Sequence, residues 1–183
     1  GKVFENKYKV DGVEYELPQH GFLRRRHMSH VTSTENTLVY RFEYDAESLA
    51  VYPYKHAVEI TYTLNEKRLE VTWNVINLDD KTMYYSIGAH PGFNIDKSHK
   101  YTLEYEVDGK TQQAILGKGY LDDFVDVEIQ DIEVDESTFI NDAVMYTGCE
   151  AVSLVDQSTG YRIRCDFKGF EYIAVWSTLN TGA

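Results

Sequence analysis

The amino-acid sequence predicts an all-β protein, a large antiparallel β-sandwich. Runs rich in Val, Ile, Thr and aromatic residues, several alternating apolar with polar positions, recur along the whole 183 residues. Short turn sequences of Asp, Asn, Ser and Gly separate these runs. No segment keeps the apolar spacing of a helix longer than a turn or two. Many strands joined by tight turns are typical of an antiparallel sandwich.

Each strand is predicted from alternation or from β-branched and aromatic content. In chain order the main segments are TLVYRFEYD (37–45), AVEITYTL (57–64), RLEVTWNVINL (68–78), TMYYSIGA (82–89), YTLEYEV (101–107), AVSLVD (151–156) and YRIRCDF (161–167). The turns are predicted from residues that tolerate left-handed backbone. Hairpins are expected at Asp11-Gly12 and Asp108-Gly109, and further turns at Asn65-Glu66, Asp79-Asp80 and Ser158-Thr159-Gly160.

Length and composition limit the domain count and the class of partner. A chain of 183 residues suits one domain, so a single domain over 1–183 is expected. The formal charge of −12 argues against nucleic acid and against anionic membranes, because both attract cationic proteins. No apolar run approaches the roughly 18 residues of a membrane span, and no signal peptide is visible.

Two cysteines sixteen residues apart favour a reducing, cytoplasmic environment. The absence of an initial methionine suggests a processed chain or part of a longer one.

Two of the six histidines stand out by their context. His90 lies in SIGAHPGFN, at the end of the predicted strand 82–89, and His20 lies in ELPQHGFLRRR. Proline after His90 favours an extended backbone at the histidine, and Gly92 then permits a turn. Histidine exchanges protons near neutral pH, so a pair converging on one cleft would suit general acid–base chemistry. The alternative is that both are ordinary loop histidines.

An arginine cluster and one aspartate are further candidates. Three arginines stand at 24–26, and strand alternation would direct Arg24 and Arg26 to one face and Arg25 to the other. They could bind an anionic or oxygen-rich ligand, protect a sheet edge, or pair with the acidic surface. Asp142, in FINDAVMY, could bind hydroxyl groups or orient a histidine, or simply cap a turn. Trp73 and Trp176 are expected to be core or half-buried strand residues, with carbohydrate stacking less favoured.

Several chemistries have no visible motif. The sequence shows no phosphate-binding glycine loop, no HExxH, no Cys/His metal spacing and no GxSxG elbow. No metal and no cofactor are therefore expected. What remains fits binding of, or proton transfer on, a polar small molecule.

Three segments resemble the aldose 1-epimerase (galactose mutarotase) family, closest to its LacX-like and hexose-phosphate-mutarotase-like branches. Residues 52–95, ending in SIGAHPGFNI, resemble the central segment of the family. PQHGFLR (18–24) is similar to a PQHGFAR-type motif, and FINDAVMY (139–146) resembles the segment bearing a substrate-binding aspartate. The resemblance implies a galactose mutarotase-like supersandwich, of which this chain would be the central part.

The resemblance also implies a reaction, the interconversion of α and β anomers of a hexose or hexose 6-phosphate. His90 would be the acid at the ring oxygen and His20 would help to bind and polarise the sugar. Arg24 and Asp142 would hold hydroxyl groups, or Arg24 would approach a phosphate. The small-molecule partner is then a sugar or sugar phosphate. The resemblance leaves the oligomeric state open.

One departure from the family pattern leaves a second interpretation open. The family's general base is a glutamate that shortly follows the strand resembled by EYIAVWSTLNTGA, and this sequence reaches Ala183 without it. Glu171 lies too early to replace it. We therefore expect the 183 residues alone to lack the base and to be inactive. The alternative is a non-catalytic carbohydrate-binding β-sandwich. A glycoside hydrolase is less favoured, because no pair of carboxylates can be nominated.

Overall fold

The computed structural model describes residues 1–117, 120–140 and 142–178. These residues form antiparallel strands with very little helix, which confirms the all-β prediction. They fall into two compact units, an N-terminal unit (Gly1–Ser86) and a C-terminal unit (Ile87–Ala183). The prediction of a single domain stays a prediction. Within the described residues, no helix is long and apolar enough to cross a membrane.

The N-terminal unit contains a two-stranded hairpin and a four-stranded antiparallel sheet in the order β3-β4-β5-β6. Its elements are β1 (Lys7–Val10), β2 (Val13–Glu16), β3 (Ser29–Ser33), β4 (Thr37–Glu43), α1 (Ala46–Val51), β5 (His56–Asn65) and β6 (Arg68–Asn77), with short 3-10 turns at Phe4–Asn6 and Leu23–Arg25. The predicted turns at Asp11-Gly12 and Asn65-Glu66 join β1 to β2 and β5 to β6.

Helix α1 is short because local sequence signals begin and end it within six residues. Asp45 accepts a hydrogen bond from the backbone N–H of Ser48 at 2.7 Å, and the Ser48 hydroxyl accepts one from the N–H of Asp45 at 2.9 Å. This capping box begins the helix. Tyr52 is already extended, and Pro53 follows it, so the helix ends at Val51.

A cluster of aromatic rings packs the segment after His20 onto the four-stranded sheet. The ring of Phe22 lies 6.2 Å from that of Phe42 and 5.7 Å from that of His56. Phe42 and His56 are both buried, and His56 Nδ1 lies 2.8 Å from the carbonyl oxygen of Tyr54. Burial of an aromatic side chain contributes about 2 to 3 kcal/mol. The position of residues 18–24 therefore depends on Phe22.

The C-terminal unit contains a second antiparallel sheet in the order β11-β10-β7-β8, with β12 added to β10 and β9 added to β7. Its strands are β7 (Tyr101–Gly117), β8 (Tyr120–Asp126), β9 (Ile132–Val134), β10 (Val144–Asp156), β11 (Arg162–Asp166) and β12 (Tyr172–Val175). The buried centre consists of Leu103, Phe139 and Val152, against which Ile173 and Val175 pack. The predicted turn at 158–160 joins β10 to β11.

The predicted hairpin at Asp108-Gly109 is wrong, because the chain does not reverse there. β7 pairs with β10 on both sides of this turn sequence, through Val107↔Cys149 and Gln112↔Thr147. Residues 108–111 of β7 therefore lie opposite only Gly148 of β10, as an irregular bulge. Gly109 has the positive φ that a turn requires, but β7 continues past it because both flanks pair with β10.

The predicted strand over 82–89 is also wrong. Residues 83–96 have no ladder partner among the described residues, although their composition favours β-structure. Within the N-terminal unit, the Tyr52 hydroxyl donates a hydrogen bond of 2.8 Å to the carbonyl oxygen of Tyr84, which ties down part of the segment. The predicted turn at Asp79-Asp80 consequently ends β6 without leading into another strand.

A buried carboxylate anchors the turn between β10 and β11. Asp156 is only 7% exposed, and its Oδ2 lies 2.8 Å from His99 Nδ1. Burial raises the pKa of Asp156, but hydrogen bonds from the Thr159 hydroxyl, from His99 and from the backbone of Ser158 and Thr159 outweigh it and lower the pKa to about 2. The folded state thus favours the ionised carboxylate.

The first prediction concerns acid stability. Because the folded pKa of Asp156 lies below its ordinary value of 3.8, its stabilising effect is complete above about pH 4 and is lost as the pH falls towards 2. We expect Asp156→Asn to reduce the free energy of unfolding at neutral pH and to flatten its decline between pH 4 and 2. Urea unfolding at a series of pH values measures both. His99→Ala, which removes one donor, should move the decline towards pH 4; an unchanged profile in both variants would contradict the assignment.

The second prediction concerns the bulge. A Cβ on Gly148 would lie 2.2 Å from the carbonyl oxygen of Lys110, and its φ is +72°. Gly148→Ala should therefore cost about 3 kcal/mol of unfolding free energy, from the left-handed backbone and the clash together. Gly160→Ala is the matched control, since φ is +74° there but nothing lies within 4 Å; it should cost about 1 kcal/mol. Equal losses measured by urea unfolding would show that the close approach is unimportant.

Candidate functional site

His90 is held by a tryptophan that follows the last strand of the C-terminal unit. The indole N–H of Trp176 donates a hydrogen bond of 2.8 Å to His90 Nε2. The two rings meet edge to face, with centroids 6.0 Å apart and planes inclined by 67°. His90 is exposed and lies in the irregular segment 83–96, so the prediction that it ends a strand is wrong. Gly92, which was expected to permit a turn, does not have a positive φ.

Strand pairing brings Asp142 to the same end of the sheet as Trp176. Val144, the first residue of β10, pairs with Val175, the last residue of β12. Asp142 precedes Val144 by two residues, and Trp176 directly follows Val175. Since antiparallel partners meet at one edge of their ladder, Asp142 and the Trp176–His90 pair lie at that edge.

The core of the C-terminal unit supports both the segment that precedes Asp142 and the segment that precedes Trp176. Phe139 is buried, and Val175 packs against the cluster that contains it. The backbone N–H of Asp142 donates to the carbonyl oxygen of Phe139 at 3.1 Å, which closes the turn before β10. The turn interpretation of Asp142 therefore holds for its backbone, while its side chain is left exposed.

His20 lies in a tight turn of the N-terminal unit. The N–H of Gly21 donates to the carbonyl oxygen of Pro18 at 2.8 Å, and φ of His20 is +62°. The N–H of His20 donates to the carbonyl oxygen of Gly1 at 2.6 Å, and the Gly1 amino group lies 3.0 Å from His20 Nδ1. Both ends of the histidine thus contact the first residue of the sequence.

Arg24 lies close to the same residue. Burial, and after it the positive charge of Arg24, lowers the pKa of the Gly1 amino group. Arg24 is exposed in the 3-10 turn Leu23–Arg25, so the strand alternation predicted for the three arginines is wrong. Arg26 instead forms ion pairs with Glu47 and Asp45 near the start of α1. The 3-10 turn Leu23–Arg25 directly follows Phe22, which packs on Phe42. Alternation of residues along the sequence does not reveal this packing.

Two of the four candidate residues have left-handed backbone. Among the described residues, six other than glycine have positive φ, and they include His20 (+62°) and Asp142 (+80°). This conformation costs an L-residue about 1 to 2 kcal/mol, although Asp, Asn and His tolerate it better than most. Such outliers are a reason to suspect a functional role at both positions.

The structure thus groups the predicted residues in two sets, one in each unit. His90 and Asp142 lie at one sheet end of the C-terminal unit, and His20 and Arg24 lie around Gly1 in the N-terminal unit. Sequence reasoning missed Trp176 as a partner of His90. Its place immediately after a strand was the available signal. Among the described residues, no group of three or more His, Cys, Asp or Glu side chains could hold a metal ion.

Comparisons with known proteins identify the family of this chain. A profile described as aldose 1-epimerase matches residues 2–179. The plasmid and chromosomal LacX proteins of Lactococcus lactis subsp. lactis are each 32% identical to the chain, in an alignment 182 residues long that covers 90% of this chain and 60% of theirs. The chain therefore spans less than two thirds of the length of these relatives.

Two solved structures share the fold across the whole chain. A galactose mutarotase related enzyme from Lactobacillus acidophilus superposes with a TM-score of 0.91 at 23% identity, and covers 100% of this chain and 65% of its own. A galactose mutarotase-like protein from Lactobacillus casei gives 0.90 at 23% identity, with 100% and 67% covered. The predicted galactose mutarotase-like β-fold is confirmed.

The third prediction tests the backbone of His20. Glycine adopts positive φ without steric cost, so His20→Gly should raise the free energy of unfolding by up to about 1 kcal/mol, whereas His20→Ala should lower it. Glu66→Gly, at φ +53° in the β5–β6 turn, is the matched control and should behave like His20→Gly. Urea unfolding compares the three variants. If glycine and alanine at position 20 destabilise equally, the left-handed turn contributes no strain.

Proposed function

The chain belongs to the aldose 1-epimerase family, and from that premise we propose that it forms the central part of an isomerase that interconverts the α and β anomers of a hexose or hexose 6-phosphate. The observation that carries the proposal is the placement of His90, an exposed histidine oriented by a hydrogen bond, at the sheet end where Asp142 also lies. Ring opening of a sugar needs a positioned acid, and an exposed carboxylate at the same sheet end can accept hydrogen bonds from sugar hydroxyls.

The reaction consists of proton transfers alone. A base removes the proton from the anomeric hydroxyl while an acid protonates the ring oxygen, and the ring opens to an aldehyde. Rotation about the C1–C2 bond followed by closure on the other face gives the second anomer, with the two proton transfers reversed. Each positioned acid or base typically contributes 10² to 10⁴-fold. No cofactor is needed for these steps.

The proposed roles follow the family motifs residue by residue. His90 exchanges a proton with the ring oxygen, and His20 hydrogen-bonds and polarises the sugar. Asp142 accepts hydrogen bonds from sugar hydroxyls, for which its exposed carboxylate is suited. Arg24 binds hydroxyl groups or a phosphate, since an exposed guanidinium can bind a phosphate bidentately. We assign no residue among 1–178 to the general base.

The fourth prediction tests this activity. Anomer exchange of galactose, glucose and glucose 6-phosphate is measured by NMR, with the 183-residue chain and with any longer product of its gene. We expect the longer form to accelerate exchange of at least one sugar, and to lose about 10² to 10⁴-fold of that acceleration in His90→Ala because the acid is removed. His27→Ala replaces an exposed histidine elsewhere in the chain and should exchange as the unmodified protein does.

The same experiment separates the enzyme from a binding protein. Sugar binding by a folded protein, seen by titration calorimetry, together with exchange at the buffer rate in every form of the protein would rule out the isomerase and favour a non-catalytic carbohydrate-binding β-sandwich. Acceleration that survives in His90→Ala would instead refute the acid role of His90. The comparison of glucose with glucose 6-phosphate decides whether the phosphate is recognised.

A further inference from the structure

The contact between Trp176 and His90 determines which ring nitrogen of the histidine carries a proton. An indole Nε1–H is a donor only and can never accept a hydrogen bond. At 2.8 Å from it, His90 Nε2 must therefore present its lone pair. A neutral imidazole with an unprotonated Nε2 carries its proton on Nδ1.

The same contact is incompatible with the imidazolium form of His90. Both nitrogens of an imidazolium are donors, so a proton on Nε2 would point at the indole proton. Two N–H groups cannot share one hydrogen bond at this distance. Protonation of Nε2 thus requires the indole to move away.

The backbone fixes the starting position of the indole, although the side chain itself is 46% exposed. Trp176 directly follows Val175, whose pairing with Val144 ends the β10–β12 ladder. Val175 and Ile173 pack against the core cluster of the C-terminal unit. A ring attached to a packed strand end and meeting its partner edge to face can select one histidine orientation.

We propose that Trp176 is a positioning residue for His90. In the sugar-free protein, the indole N–H of Trp176 holds the imidazole of His90 in the neutral tautomer that is protonated on Nδ1. Any role of this tautomer in catalysis rests on the proposed function, whereas the assignment of the tautomer rests only on the contact with Trp176. In this state His90 can donate a hydrogen bond from Nδ1. It can accept a proton at Nε2 only when the indole N–H leaves that nitrogen, so proton uptake and movement of Trp176 are linked.

The test is ¹⁵N NMR of the histidine rings in the sugar-free chain, at about pH 8.5, where ordinary imidazoles are neutral. We expect His90 Nε2 to resonate as an unprotonated nitrogen and Nδ1 as a protonated one. Replacing Trp176 by 3-benzothienylalanine keeps the shape of the ring and substitutes sulfur for N–H. In that variant, and in Trp176→Phe, the His90 signals should shift towards the tautomer protonated on Nε2, which free imidazole side chains favour in water.

His99 provides an internal control. Its Nδ1 contacts Asp156, remote in sequence from Trp176, so its ¹⁵N signals should stay unchanged in both variants and report that the C-terminal unit remains folded. A His90 ring protonated on Nε2 in the unmodified protein would overturn the proposal. So would a tautomer that the benzothienyl replacement leaves unaltered while the His99 signals are retained.

Kinetics then separate this inference from the proposed function. If the protein accelerates anomer exchange, the benzothienyl variant should show an altered kcat with the KM for the sugar little changed, because Trp176 acts through His90 and does not hold the sugar. A change in KM alone would assign Trp176 to sugar binding and overturn the positioning role. If no sugar is exchanged, the isomerase proposal fails while the ¹⁵N result still decides the tautomer.

Discussion

The backbone ladder of β10 is the constraint on which the geometry of the C-terminal unit depends. One edge of this strand pairs with β7, and the other pairs first with β12 and then with β11. The bulge at Gly148 lies between the part that pairs with β12 and the part that pairs with β11. The extra residues of this bulge lie in β7, and a bulge bends the strand that carries it and increases the local twist. Gly148 is the single residue of β10 opposite them. Only glycine fits there, because of the carbonyl oxygen of Lys110.

The candidate residues occupy positions that do little for stability. His90 and Asp142 are exposed, and His20 and Asp142 have a backbone conformation that glycine would adopt at lower cost. Packed neighbours flank these positions: the half-buried Phe22 after His20, the buried Phe139 before Asp142, and the half-buried Val175 before Trp176. Loop residues positioned by a rigid scaffold are typical of binding and catalytic sites, and here the scaffold residue is adjacent or nearly so in each case.

Sequence patterns failed where a residue's partner decides its structure. Residues 82–89 have the composition of a strand, but a strand forms only where another strand supplies hydrogen bonds, and none among the described residues does so. Asp108-Gly109 has the chemistry of a hairpin turn, yet β10 runs past it and keeps both flanks paired. The three arginines follow Phe22, whose packing against Phe42 accompanies a 3-10 turn rather than a strand.

By itself the sequence determined the all-β class, most strands, the turns at Asp11-Gly12 and Asn65-Glu66, and, through its motifs, the family and the candidate residues His20, Arg24, His90 and Asp142. These features depend on local alternation, on turn chemistry and on short motifs, all of which are visible along the chain. Tertiary structure alone decided that β12 pairs with the start of β10, and that Trp176, which follows β12, contacts His90, 86 residues away in sequence. Register between distant strands is set by packing and by ladder hydrogen bonds, which leave no periodic trace in the sequence.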